Sequence, residues 1–143
     1  MSEDSVNGDQ IMEYRHEAGV HYFTMFEASL RSVEAYSRKM GDILEQIESG
    51  KLPRPNRLKI FFDNTRCGIP PLRHTYDQMH ERRKANQQGI PVKAAYLVKD
   101  SFSLKMLTEL GQNAASVETV GTVRRYFLPA QRDEAMHWLL AGE

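Results

Sequence analysis

One stretch decides the fold of this 143-residue chain: Leu58-Lys59-Ile60-Phe61-Phe62-Asp63-Asn64-Thr65-Arg66-Cys67-Gly68-Ile69-Pro70-Pro71. Its first five residues are apolar except for Lys59, which is typical of a strand that is buried on both faces of a parallel sheet. The polar residues from Asp63 to Thr65 favour a turn, and the glycine and prolines beyond them favour an irregular loop. The carboxyl end of a central strand is where an open α/β sheet places a site.

Composition narrows the class of protein. Hydrophobic residues make up 41% and charged residues 27% of the chain, as in ordinary globular domains. Nineteen basic and nineteen acidic side chains cancel, which argues against a dedicated nucleic-acid binder. No apolar run approaches the roughly 20 residues that span a bilayer, and the polar start lacks the features of a signal peptide. The single cysteine, Cys67, cannot form an internal disulfide, so we expect a cytoplasmic protein. Residues 1–10 are predicted to be a flexible tail and residues 11–143 a single domain.

The remaining patterns predict the element order ββαβαβαβα. Two β-favouring runs, 11–16 and 20–26, flank Glu17-Ala18-Gly19 and predict a hairpin with a three-residue connection. Apolar residues spaced three and four apart predict four helices. Ser29 or Ser32 can cap the first helix, and Asp100 or Ser101 can cap the third. The four stripes are Val33, Tyr36, Met40, Ile43, Leu44 and Ile47; Leu72, Tyr76 and Met79; Phe102, Met106, Leu107 and Leu110; and Ala135, Met136, Trp138 and Leu139.

Strands alternate with these helices at 58–62, 92–98 and 123–128, and residues 117–120 also read as extended. Alternation of this kind predicts parallel strands joined by right-handed crossovers, while the opening hairpin adds an antiparallel edge. We therefore expect an α/β fold with a mixed, mainly parallel sheet of about five strands and about four helices.

Three parts of the chain resemble a STAS-type domain of the SpoIIAA-like branch, which is related to the CRAL-TRIO lipid-binding fold. Residues 58–63 are similar to the third strand of that family, and residues 92–100 to its next strand. The most specific part is Val123-Arg124-Arg125-Tyr126-Phe127 followed by Asp133-Glu134-Ala135-Met136-His137-Trp138-Leu139, which resembles the closing strand and helix. The resemblance implies a regulatory module or a carrier of a lipid-like ligand.

One departure from the family limits what the resemblance implies. Anti-sigma antagonists of the family carry a phosphoacceptor serine motif at the start of the helix after the third strand. Here that place holds Ile69-Pro70-Pro71-Leu72, which has no hydroxyl group, and Thr65 and Thr75 fit the motif poorly. Phosphorylation-switched partner exchange is therefore not carried over to this chain.

Asp63, Cys67 and His74 raise the alternative of thiol chemistry near one strand end. A reactive thiol needs a neighbour that lowers its pKa, and the sequence alone shows only an ordinary turn with an ordinary thiol. His74 and His80 are six residues apart, unlike the i, i+4 pair that binds zinc. The glycines form no phosphate-binding fingerprint. We expect no metal, no cofactor and no catalysis.

The favoured hypothesis is a non-enzymatic regulatory or protein-interaction module that binds its partner through the loops after two neighbouring strands. The candidate binding residues are Asp63, Asn64, Thr65, Arg66, Cys67, Lys99, Asp100 and Ser101. The alternative is a carrier or sensor of an apolar, lipid-like ligand in a pocket between the hairpin or first helix and the sheet. The hairpin edge also offers a surface for a homodimer. The last helix is expected to bury Trp138 and to expose Glu134 and His137.

Overall fold

The computed structural model describes residues 10–68, 89–113 and 121–141, together with positions 73, 75, 77, 78 and 81. The strands are β1 (Met12–Glu17), β2 (Val20–Met25), β3 (Leu58–Asn64), β4 (Val92–Val98) and β5 (Val123–Phe127). The helices are α1 (Leu30–Glu48), α2 (Ser101–Asn113) and α3 (Arg132–Leu140), and a 3-10 turn (Pro129–Gln131) precedes α3.

The predicted α/β class and the five-stranded, mainly parallel sheet are confirmed. Three helices are described rather than about four. The second predicted stripe (Leu72, Tyr76 and Met79) lies outside the described residues, although positions 73, 75, 77, 78 and 81 are helical. His74, the extended run at 117–120 and nearly all of the predicted tail also lie outside the described residues.

The strands lie in the sheet in chain order, so β3 is the middle strand. Strand β2 pairs with β1 in antiparallel fashion, while β2 to β5 run parallel. Side chains alternate across a strand, and Ile60 and Phe61 are each only 2% exposed although they point to opposite faces. The prediction of a strand buried on both faces is therefore confirmed, and the strand continues two residues further than predicted, to Asn64.

The hairpin is tighter than predicted. Glu17 pairs with Val20, so the connection is the two-residue turn Ala18-Gly19 rather than three residues. Both turn residues have positive φ, 52° for Ala18 and 80° for Gly19, as a type I′ turn requires. This turn matches the right-handed twist of the strands, which explains why Glu17 joins the ladder instead of the loop. Strand β1 forms an edge of the sheet and is largely exposed, whereas β2 is mostly buried.

Helix α1 covers the sheet face that carries Ile60 and Ala94, which we call the α1 face. All six residues of its predicted stripe are buried. Ser29 caps the helix through its side chain, Ser32 completes the capping box, and Gly50 beyond the last turn has φ 86°. Apolar burial and satisfied end groups together fix this helix on the sheet.

Helix α3 covers the opposite face, the α3 face, where Ala135 and Leu139 are completely buried against Phe61, Leu97 and Phe127. These two residues lie four apart and point at the sheet. The predicted burial of Trp138 is only partly correct. Trp138 lies one position from Leu139, about 100° around the helix, and therefore packs at the flank with its ring centroid 5.9 Å from that of Phe127. Glu134 and His137 are exposed, as predicted.

Helix α2 is rotated relative to its predicted stripe. Phe102 was expected in the core but is 66% exposed, whereas Ser103 is 3% and Leu107 is 7% exposed. Because Ser103 and Leu107 lie four residues apart, they share the face that meets the sheet, and Phe102 is turned away by one residue. An aromatic ring is thus presented to solvent at the start of this helix.

Candidate functional site

The sheet order brings two of the predicted site loops together. Asn64 pairs with Val98 at the ends of β3 and β4, so the loops that begin at Thr65 and Lys99 leave the same edge of the sheet side by side. This adjacency was expected from the parallel arrangement of neighbouring strands. The individual residues of the two loops nevertheless have very different surroundings.

Asp63 connects its own loop to helix α3. Its Oδ1 accepts hydrogen bonds from the backbone N–H of Thr65 (3.0 Å) and from the Thr65 hydroxyl (2.8 Å). Its Oδ2 accepts a hydrogen bond from Arg132 Nη2 at 2.6 Å. Burial raises the pKa of Asp63, but the bonds from Thr65 and Arg132 outweigh that effect and leave the pKa lowered. The carboxylate is thus engaged within the fold.

Cys67 is packed into the hydrophobic core on the α1 face and is 8% exposed. Its Sγ donates to Asn64 Oδ1 at 2.9 Å, and Asn64 Nδ2 donates to the carbonyl of Gly68 at 3.3 Å. Burial raises the pKa of the Cys67 thiol to about 11. The reactive form of cysteine is the thiolate, and these surroundings favour the protonated thiol.

The other predicted residues lie at the surface. Arg66, Lys99, Asp100 and Ser101 are exposed. The Arg66 guanidinium lies 5.4 Å from the centre of the Phe26 ring. Asp100 caps helix α2 by accepting a hydrogen bond from the backbone N–H of Ser103 at 2.8 Å, and this bond lowers its pKa. The structure therefore divides the predicted set into a packed group (Asp63, Asn64, Cys67), an exposed group (Arg66, Lys99, Asp100, Ser101) and Thr65, which is half-buried and bonded to Asp63.

A pocket lies on the α1 face next to Asn64, which belongs to the packed group. It lies between the first turns of α1, the strands and helix α2, and its volume is about 70 Å³. The lining is mainly apolar. It consists of Met25, Glu27, Ala28, Ser32, Val33, Tyr36, Phe62, Asn64, Thr75, Tyr96, Leu107, Arg124 and Tyr126.

The polar wall of this pocket is built from Arg124 and tyrosines. The rings of Tyr96 and Tyr126 stack with centroids 5.0 Å apart, and the Arg124 guanidinium lies 5.6 Å from the centre of the Tyr96 ring. Burial disfavours the charge on Arg124, but its electrostatic interactions with Tyr96 and Tyr126 and a hydrogen bond with Tyr126 outweigh that effect, so the pKa of Arg124 is raised. Burial also raises the pKa of Tyr126. Arg124 is therefore a buried cation in the wall of the pocket.

A second charged residue, Glu27, lines the pocket just before α1. Its carboxylate accepts hydrogen bonds from Arg31 Nε (2.7 Å) and Nη2 (3.0 Å) and from the Ser29 hydroxyl. These bonds hold the pKa of Glu27 at about 2. The negative charge of Glu27 is thus balanced by Arg31 within the same turn of chain.

Sequence reasoning did not select the polar wall of the pocket. Strand alternation alone places Arg124 and Tyr126 on one face of β5, which was a usable signal. The pairing of Arg124 with Ala94 and of Tyr126 with Tyr96 decides which face that is, and this register is not visible in the sequence. Phe62 and Tyr36 were recognised only as core residues, yet their rings also line the pocket and meet edge to face at 5.0 Å.

Within the described part of the chain, no group of three His, Cys, Asp or Glu side chains has the geometry to hold a metal ion. No described helix is long and apolar enough to cross a membrane.

The chain was also compared with known proteins. No family model, no curated protein and no solved structure matches it.

Proposed function

We propose that this protein is a non-enzymatic carrier or sensor of a small, mainly apolar ligand that binds in the pocket on the α1 face. The observation that carries the proposal is the pocket itself, which lies between the end of the hairpin, α1 and the sheet and has a mainly apolar lining. Small-molecule sites are typically concave and apolar, with a few polar groups that orient the ligand. Arg124, Tyr96 and Tyr126 are such groups.

The position of the pocket supports the same proposal. Most of its strand residues, such as Met25, Asn64 and Tyr96, lie in the carboxyl halves of their strands, the edge of a parallel sheet where ligands usually bind. Arg124 is the exception, because it is the second residue of β5. The volume of about 70 Å³ is that of roughly two water molecules at liquid density, so the cavity itself holds only part of a ligand. This favours a compact ligand, partly held in the mouth of the pocket, over a long acyl chain.

The absence of catalysis and a cytoplasmic location remain parts of the proposal. The raised pKa of Cys67 supports the first, because a buried neutral thiol is a poor nucleophile. The single cysteine supports the second. Membership of the STAS-type family is likewise proposed on the residue patterns alone.

Titration followed by isothermal calorimetry tests the proposal with three compact probes: indole, phenylacetamide and phenylacetate. We expect at least one to bind the wild-type protein with one-to-one stoichiometry. Val33→Phe, which fills the pocket from α1, is expected to weaken that binding at least tenfold. Ala35→Leu adds bulk to the same helix outside the pocket and should leave binding unchanged. Failure of all three probes, or equal binding by Val33→Phe, would contradict the proposal.

A second proposed function is protein interaction at the same edge of the molecule. It is favoured by Phe102, which is 66% exposed at the start of helix α2 and follows directly on the exposed residues Lys99, Asp100 and Ser101. The loop that leads to Phe102 leaves the sheet beside the loop that carries Arg66. Exposed aromatic and arginine side chains are the residue types that carry most binding energy at interfaces. The loop from Asn64 also joins this surface to the pocket, so ligand binding and partner binding can be coupled in one sensor.

Affinity capture with quantitative mass spectrometry tests the second function. The double variant Arg66→Ala, Lys99→Ala and the single variant Phe102→Ser are expected to lose the same captured partner. Leu140→Ser is the control, because Leu140 is 50% exposed at the end of α3. Capture profiles that are identical for all variants would contradict an interface here.

Self-association through edge strand β1 is a separate proposal, and a strictly monomeric mass in solution would remove it.

A further inference from the structure

We propose that two copies of this chain form a two-fold symmetric dimer in which their β1 strands pair in antiparallel fashion about Tyr14, so that Glu13 of each copy lies opposite Arg15 of the other. This inference rests on the proposed self-association through β1, and it adds the symmetry, the register and the residue pair that selects them. It is carried by the direction of the backbone groups of β1 together with the order of charges along the strand.

Strand β1 is a regular edge strand that is suited to pairing. In the described part of the chain it pairs only with β2, and all six of its residues are matched with β2 residues without a bulge. Its sequence contains no proline. Bulges and prolines are devices by which proteins block pairing at a sheet edge. The outer side of β1 therefore offers a row of backbone groups to a second strand.

The ladder to β2 determines which residues of β1 direct their backbone groups outwards. The N–H of Phe26 donates to the carbonyl of Ile11 at 2.9 Å, and these two residues continue the register of the hairpin by one pair. Hydrogen-bonded and non-hydrogen-bonded pairs alternate along an antiparallel ladder, so the odd-numbered residues of β1 bond to β2. The backbone groups of the even-numbered residues point outwards, and these residues are Met12, Tyr14 and His16.

Pairing about Tyr14 uses the whole outer edge of β1. Met12 of each copy then lies opposite His16 of the other, and the two Tyr14 residues lie opposite each other, as an interface between identical surfaces requires. The odd-numbered residues form the non-hydrogen-bonded pairs, in which the side chains are closest. Glu13 and Arg15 are both exposed, and the symmetry sets them opposite each other twice. Opposite charges at such positions stabilise a pair of strands.

The order of charges disfavours the neighbouring registers. A two-fold axis at Glu13 would set two glutamates opposite each other, and an axis at Arg15 would set two arginines opposite each other. Like charges directly opposite are destabilising. An axis at His16 would match Arg15 with Glu17, but it would extend the pairing into the turn Ala18-Gly19. The register about Tyr14 therefore combines opposite charges with the full length of the strand.

Arg15 is able to bind Glu13 of the second copy without giving up its contacts within its own chain. Its guanidinium lies 3.9 Å from the centre of the Tyr22 ring and forms an ion pair with Glu17. The Arg15 side chain is nevertheless 59% exposed. A guanidinium carries five N–H donors, so one group can bind two carboxylates.

Sedimentation equilibrium tests the inference by exchange of charges. We expect the wild-type protein to be a dimer. Glu13→Arg sets arginine opposite arginine and Arg15→Glu sets glutamate opposite glutamate, so each variant alone should dimerise at least tenfold more weakly. An equimolar mixture of the two variants should regain the wild-type affinity as a heterodimer, because two arginines of one chain then face two glutamates of the other.

Glu109→Arg is the matched control. It makes the same change of charge at an exposed position of α2, which contacts β4 and β5 rather than β1, and it should leave dimerisation unchanged. The double variant Glu13→Arg, Arg15→Glu restores the opposite charges within one chain. It should dimerise like the wild type even if a single variant does not fold.

The outcomes separate this inference from self-association itself. A monomeric wild-type protein would overturn both. A dimer that tolerates both single variants, a mixture no tighter than either variant alone, or a monomeric double variant would overturn the register and leave self-association standing. Stronger weakening by Glu17→Arg than by Glu13→Arg would place the axis at His16 and would likewise overturn the register.

Discussion

The two faces of the sheet are closed in different ways. On the α3 face, Phe61, Leu97, Phe127, Ala135 and Leu139 form a cluster in which every member is at most 2% exposed. The α1 face has a buried cluster under α1 whose members are up to 8% exposed, and this face also contains the pocket that Arg124 lines. Packing is tight under α3, whereas on the α1 face it leaves a pocket.

The polar contacts of the two faces differ in the same sense. On the α3 face, the ion pair between Asp63 and Arg132 and the bond from Lys93 Nζ to the Ala141 carbonyl (2.9 Å) fasten the two ends of α3. On the α1 face, the phenols and the guanidinium surround open volume. Interactions on the α3 face hold the fold together, whereas those on the α1 face are arranged around a space.

The largest expected effect comes from a truncation in the closed cluster of the α3 face, compared with the same truncation beside the pocket. Leu139→Ala should lower the free energy of unfolding by about 3 kcal/mol, because it creates a new cavity in a closed cluster. Leu107→Ala should cost only about 1–2 kcal/mol, because Leu107 already borders open volume. Urea denaturation measures both. Equal losses would remove the distinction between a closed face and an open one.

The ion pair that fastens α3 gives the next effect. Asp63→Ala leaves Arg132 and the Thr65 N–H without their acceptor and should cost about 2 kcal/mol at pH 7. Because the pKa of Asp63 is lowered in the folded protein, its contribution is present above the unfolded pKa and is lost as the pH falls through the folded value. The Asp63→Asn variant should therefore lose less stability than the wild type on acidification below about pH 4.

Asp133→Asn provides the control, since Asp133 is exposed in the first turn of α3. We expect it to change stability by less than about 0.5 kcal/mol. An Asp63 variant as stable as this control would show that the ion pair between Asp63 and Arg132 does not help to dock α3.

The smallest effect concerns His21, a buried residue at the hairpin end of the α1 face. Its Nδ1 and the Tyr14 hydroxyl form a hydrogen bond of 2.8 Å, and its ring stacks on His16. Burial, with smaller contributions from His16 and Lys39, lowers the pKa of His21 to about 4. The unfolded chain takes up this proton near pH 6.5, so stability conferred by neutral His21 is present above that pH and is lost as the pH falls towards 4.

Chemical denaturation at pH 7 and pH 4.5 measures this dependence. We expect the wild type to lose about 1–2 kcal/mol more than His21→Gln over that interval. The exposed residue His137 supplies the control, and His137→Gln should follow the wild-type profile. Parallel profiles for the wild type and His21→Gln would contradict the assignment.

The sequence predicts some parts of these two faces correctly and misses others. The stripe of α1 is correct because that helix packs on one side only, so its apolar period maps directly onto burial. Phe102 and Trp138 are misplaced because each lies one residue from the buried face, and sequence spacing does not fix helix rotation. Arg124 was not selected because its direction depends on the register between β4 and β5, a contact between distant residues.

Methyl-resolved NMR of the wild-type protein with saturating phenylacetate tests the central claim most directly. The account predicts chemical-shift changes at the methyl groups of Met25, Val33 and Leu107, which line the pocket on the α1 face. It predicts unchanged signals for Leu97, Ala135 and Leu139 on the closed α3 face. No change at any pocket methyl, or changes of equal size on both faces, would contradict a ligand site on the α1 face.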